Sequence, residues 1–156
     1  MAVAVSPRAD AAPLTRAERK LARLLRLFAV LFAIGGIGFL VRPDGTVADL
    51  DRVGGLVGLP TLYNTPVAGV SDFWLPLAIA NMATIAASAW LAAGDVRRRR
   101  ALVYPVIVSK FASSITGILL FVRWAPAFPF LAIALVDLPI GVILISALRA
   151  APAPSA

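Results

Sequence analysis

Residues 73–122 form two apolar runs separated by the block Arg97-Arg98-Arg99-Arg100. Each run has about the 20 residues that a helix needs to cross a bilayer. Four guanidiniums cannot follow either run into hydrocarbon, so the block marks one membrane face. The other segments take their direction from it. With two further apolar stretches, the expected fold is all-α: an antiparallel bundle of four transmembrane helices at about 24–41, 73–93, 101–122 and 127–148.

Composition narrows the function classes. The 156 residues are 60% hydrophobic, with a mean hydropathy of +0.90, too few polar residues for one soluble domain to cover its surface. The net charge of +7 does not point to nucleic acid. Of 15 basic residues, six lie within 1–26 and four in the arginine block, flanking apolar segments as topology determinants and anionic-lipid contacts do. There is no cysteine and no histidine. Disulfides, thiol nucleophiles, Cys-based zinc sites and Ser-His-Asp catalysis are therefore excluded, and no metal or cofactor is expected.

Taken in order, residues 1–15 are an Ala/Pro-rich tail expected to be disordered. Thr15-Arg16-Ala17-Glu18 has the form of a capping box. A basic amphipathic approach (Arg16, Arg19, Lys20, Arg23, Arg26) then leads into the first span. A cleaved signal peptide is the competing reading, but the apolar stretch exceeds an h-region and no small-x-small cleavage site follows closely. Gly35-Gly36-Ile37-Gly38 offers another helix a small face, or else a thin, bendable helix end. Residues 42–72 are the one long connection, too apolar for disorder. A short interfacial helix at 47–57, followed by an irregular cover, is expected there. Pro76 is placed in the first turn of the second span, with Trp74 and Trp90 near its ends. The transmembrane domain covers 16–149, and the tail 150–156 is expected to be disordered.

Charge counting gives the orientation. With both termini inside, residues 8–26, the arginine block and Arg149 place eleven bases inside, against Arg42, Arg52 and Arg123 outside. N-in, C-in is the positive-inside solution. The expected location is the cytoplasmic membrane.

Three polar side chains sit deep in spans: Asn81, Lys110 and Asp137. A charge at mid-bilayer costs about 2.5–3.5 kcal/mol, so Lys110 and Asp137 are expected to face inward and meet. At 1.5 Å per residue they lie about 13 Å and about 16 Å from the inner ends of their spans, and Asn81 about 18 Å. Their faces agree. Lys110, Ser113, Ser114 and Gly117 form one helix stripe, Asn81, Thr84 and Ser88 a second, and Ala134, Asp137 and Gly141 a third. Asn81 is expected close to the pair. Val108, Phe111, Ile115, Leu119 and Val122 point mainly away from Lys110 and suit lipid. Pro139 removes the hydrogen bond to the Leu135 carbonyl, leaving that carbonyl free beside the carboxylate. Pro105 either kinks the third helix or marks its start. The candidate ligand or ion-path residues are therefore Asn81, Thr84, Ser88, Lys110, Ser113, Ser114 and Asp137. Arg97, Arg98, Arg99 and Arg100 are topology anchors. The plainer reading of the same residues is a buried pair with small-residue stripes that hold helices in register.

Residues Leu27 to Leu40 running into Val41-Arg42-Pro43-Asp44, followed by the paired hairpin 73–122, resemble the layout of the DoxX-like set of small bacterial four-helix membrane proteins, which includes the DUF4345 group. Some members are similar to quinone-linked oxidoreductase subunits, and others have no assigned activity. No catalytic residue is carried over, because this chain has no carboxylate in its second span and no cysteine. The lack of catalytic side chains beside a buried polar triad of Lys110, Asp137 and Asn81 points to a non-enzymatic accessory subunit or small-ligand binder of this type. The alternative is a small proton-coupled transporter using Lys110 and Asp137; an enzyme with Lys110 as acid or base is a third class. The expected partners are a bilayer with anionic lipid at the inner face and a membrane protein or second copy, not nucleic acid.

Overall fold

The computed structural model describes residues 13–62 and 71–151, with side chains from residue 75 onward in the second block. Five helices follow one another: α1 Arg16–Val41, α2 Pro43–Gly55, α3 Ser71–Gly94, α4 Val103–Arg123 and α5 Phe128–Ala150. A 3-10 turn, Arg100–Leu102, precedes α4. No strand forms among the described residues. Four helices are long and apolar enough to cross a membrane, the layout of a multi-pass membrane protein.

Helix starts follow local chemistry. The Thr15 hydroxyl accepts from Glu18 N–H at 3.2 Å, and Glu18 accepts from Thr15 N–H at 2.6 Å, so the capping box forms and α1 begins at Arg16. With 26 residues, α1 is about 39 Å long against a hydrocarbon thickness of about 30 Å, so its basic first two turns extend beyond the apolar stretch that starts at Leu24. Pro105 lies in the first turn of α4, where a missing N–H costs little; it marks a start rather than a kink. Pro76 differs from expectation. Helix α3 begins at Ser71, so Pro76 is inside it and withdraws a bond from the carbonyl of residue 72.

The short helix in the long connection starts earlier than its apolar residues suggest, at Pro43, because proline suits a first helical position. It ends at Gly55. The chain turns at Gly58, whose φ of 74° a side chain would disfavour, and Leu59 N–H returns to the Gly54 carbonyl at 3.0 Å. Asp51 is buried and accepts the Leu62 N–H at 2.9 and 3.0 Å, which clips the returning chain to α2. Residues 63–70 of this connection lie outside the described residues.

The two large interfaces are α1 on α3 and α4 on α5. The main core lies toward the arginine block: Leu21, Leu25, Phe28 and Phe32 of α1 meet Ile85, Ala89 and Ala92 of α3, Val103 and Val106 of α4, and Leu144 and Leu148 of α5. Outward-facing Leu27, Leu31, Ile34, Ile37 and Leu40 leave α1 apolar on its free side, a face that suits lipid rather than water. Gly35 and Gly36 bring α1 against Met82 of α3, whereas nothing approaches Gly38. Of the tails expected to be disordered, residues 1–12 and 152–156 lie outside the described residues. Their inner ends hold contacts: Pro13 and Leu14 carbonyls accept from arginines, and Ala151 is buried.

Candidate functional site: an ion pair between α4 and α5

The centre of the site is short. Lys110 Nζ donates to Asp137 Oδ1 at 2.9 Å, with side-chain exposures of 5% and 14%. The Ser113 hydroxyl donates to Asp137 Oδ2 and lies 3.1 Å from the Lys110 carbonyl. Ser114, one residue on, donates to that carbonyl at 2.7 Å. The stripe of α4 therefore holds the carboxylate from two sides, as spacing of three and four residues on one helix face allows. The third wall comes from α1. The Phe32 ring lies 4.4 Å from Lys110 Nζ, and Phe28 stacks on Phe32 at 6.0 Å, so an aromatic face meets the cation.

Two glycines bracket the pair. A Cβ on Gly117 would come within 2.6 Å of the Phe130 carbonyl oxygen, and one on Gly141 within 3.2 Å of the Phe111 ring. These close approaches bring α4 near enough to α5 for a direct ion pair. Phe111 is thereby half-buried against Gly141 and not lipid-facing as its position suggested. Val108, Ile115, Leu119 and Val122 are exposed.

Asn81 does not join the pair. Its Nδ2 donates to Ser109 Oγ at 3.2 Å, and Ser109 Oγ donates back to Oδ1 at 3.3 Å, both on an exposed face. Thr84 is also exposed and donates to the Ala80 carbonyl of its own helix at 2.8 Å; Ser88 is half-buried. The reason is the rotation of α3. It presents Ile85, Ala89 and Ala92 to α1, which turns the Asn81 stripe away from the Lys110 side. Lys110, Ser113, Ser114 and Asp137 are thus brought together, while Asn81, Thr84 and Ser88 are not. Phe32 is the participant that sequence reasoning missed. Its only mark was a place on the buried stripe with Leu25 and Phe28, which any core aromatic shares.

No family model, curated protein or solved structure matches this chain. Every buried side-chain nitrogen or oxygen among the described residues has a hydrogen-bond partner. Among those residues, no three acids gather closely enough to hold a metal ion.

The arginine block ties helix ends together. Arg97 donates to both oxygens of Glu18 at 2.7 and 2.9 Å, joining the start of α1 to the connection after α3. Glu18 lies outside the apolar stretch, and the Arg97 hydrogen bonds, followed by that of Thr15 N–H, hold its carboxyl down at about 2, from an ordinary 4.5. It stays ionised across the physiological range. Arg99 donates to the Leu91 carbonyl of α3 at 3.3 Å, and Arg100 to the Ala151 carbonyl at 3.0 Å and to that of Leu148. Cations placed on terminal carbonyls satisfy groups that a helix end leaves unpaired.

Proposed function

We propose that this chain is a four-span protein of the bacterial cytoplasmic membrane, of DoxX-like type, acting as a non-enzymatic accessory subunit. The Lys110–Asp137 pair serves in it as the joint between α4 and α5. One observation carries this reading: the pair is closed. Both carboxylate oxygens are engaged, the ammonium lies between Asp137 and the Phe32 ring, and Asn81 bonds elsewhere. A site that binds a ligand or passes a proton needs a polar group left open to it, and here the acceptors are occupied from within.

The arrangement we propose is antiparallel with both termini inside. Its support is that the start of α1, the arginine block and the end of α5 share contacts, through Glu18 with Arg97 and Leu148 with Arg100. The positive-inside count then selects the cytoplasmic side. Because the chain has no cysteine, single cysteines report this directly. Val57→Cys is expected to react with an impermeant maleimide on intact cells, and Ala101→Cys only after permeabilisation; the reverse pattern would refute the orientation.

A second reading, a proton-coupled carrier, draws on Asp137 being the less enclosed partner at 14% exposure. Liposome flux separates the two. With an imposed pH gradient, the purified protein is expected to leak no faster than protein-free vesicles. Flux above that level, lost in Asp137→Asn, would replace the accessory role with the carrier.

A further inference from the structure

A cleft of about 760 Å³ opens between the basic first turns of α1 and the end of α3, well apart from the Lys110–Asp137 pair. Its floor is apolar and small, with Ala22 on one side and Ala93 on the other. Its walls are cationic. Arg19, Arg23 and Arg26, at i, i+4 and i+7, form one face of α1, and Arg97 and Arg98 face them across the gap. Five guanidiniums thus share a space with one carboxylate, Asp95.

We propose that this cleft binds a phosphoryl anion, carried either by an acidic glycerophospholipid headgroup or free in solution. Like charges held in one concavity repel unless an anion joins them, and a cleft focuses the field that attracts it. Three of the five cations are already positioned by the protein: Arg19 by the Leu14 carbonyl, Arg97 by Glu18, and Arg98 by Asp95 at 3.8 Å. Arg23 and Arg26 are different, since they make no hydrogen bond or ion pair among the described residues. Their planar forks can each take two phosphate oxygens. The volume lies within the usual range for small-molecule sites, roughly 300–1,000 Å³, so a whole headgroup fits.

The level in the bilayer agrees. The cleft sits where the apolar stretch of α1 starts at Leu24 and where α3 ends at Gly94. Exposed Trp90 lies one turn deeper, as an interfacial indole does, and exposed Leu27 and Leu91 offer apolar surface below the cations. Basic pockets between spans at this depth suit lipid phosphates. The inference rests on this end lying at a membrane surface and is independent of the accessory role, so the flux assay leaves it untouched.

The test uses the full chain in a neutral maltoside detergent, titrated with phosphatidylglycerol, phosphatidylcholine or inorganic phosphate while the melting temperature is followed. Phosphatidylglycerol or phosphate is expected to raise it saturably, and phosphatidylcholine not. Arg23→Gln with Arg26→Gln is expected to weaken that binding about tenfold or more, the equivalent of one lost charge-assisted contact. Arg16→Gln with Lys20→Gln removes equal charge from α1 outside the cleft and is expected to leave it unchanged. A response to phosphatidylglycerol alone identifies the lipid source, and an arginine-dependent response to phosphate identifies the soluble one. Gly94→Glu gives a second approach if the arginine variant fails to fold. The nearest atom to an added Cβ there is Arg99 Nη1 at 3.9 Å, so a competing carboxylate has room at the rim. Equal weakening by the Arg16/Lys20 control, or undiminished binding in the Arg23/Arg26 and Gly94 variants, would overturn the site in favour of diffuse attraction.

Discussion

Asp137→Leu alone is expected to destabilise the protein by about 3–5 kcal/mol, because it leaves the Lys110 ammonium buried without its counter-ion. Lys110 is 5% exposed, and its one ion-pair partner among the described residues is the carboxylate 2.9 Å away. The Phe32 ring remains after the substitution, but a cation over a ring is worth about 0.5–2 kcal/mol and does not replace a carboxylate. The double variant, Lys110→Met with Asp137→Leu, removes both charges and keeps similar volume. It is expected to recover most of the loss, since exchanging a whole buried pair for apolar groups is often neutral or stabilising by about 1–4 kcal/mol. The measurement is a double-mutant cycle by SDS titration of helicity in detergent micelles. If the single change costs no more than an ordinary surface substitution, about 0.5 kcal/mol, the pair is not a joint of the bundle.

Gly117→Ala is the second large effect, and its sign is informative. In a helix interior, alanine is intrinsically better than glycine by about 0.8–1.0 kcal/mol, so an open site would gain stability. At Gly117 the new Cβ would lie 2.6 Å from the Phe130 carbonyl oxygen, with the Ile133 side chain at 3.5 Å and the Ala134 backbone nitrogen at 3.6 Å. A backbone oxygen cannot rotate away as a side chain does. Helices α4 and α5 must therefore separate, an overpacking cost of about 1–3 kcal/mol. The same separation lengthens the contact between Lys110, seven residues before Gly117, and Asp137, seven residues after Phe130. Gly38→Ala is the comparison, since nothing lies within 4 Å of its added Cβ. Thermal unfolding of the two variants should shift in opposite directions. A stabilised Gly117→Ala protein would mean that α4 and α5 are not closely packed there.

Much of the layout was legible in the residues themselves. Hydropathy and length mark four apolar segments, and the described helices end within a few residues of those bounds, apart from the water-side turns of α1. The capping box at Thr15 and Glu18 is local chemistry and forms as local chemistry predicts. The meeting of Lys110 with Asp137 was also within reach, because two charges too costly to face lipid on adjacent spans of matching depth have few other places to go. Asn81 carried no such force. A neutral amide costs less to leave near lipid, so burial energy does not dictate its partner. The long-range roles of the arginines were equally out of reach: the Arg97 bridge to Glu18 and the caps from Arg99 and Arg100 depend on which helix ends lie beside the block.

The number and length of the apolar helices, the start of α1 and the need for the two buried charges to find each other are written in the residues, because each follows from costs met within one segment or by one side chain in hydrocarbon. Packing between helices set the rest: which face α3 turns inward, which aromatic covers Lys110, and where the basic turns leave a cleft. Helix α3 is apolar on nearly every side, so no stripe marks its inner face. Its rotation is settled by fitting Ile85 and Ala89 against α1, an outcome of shape between helices that no single segment encodes.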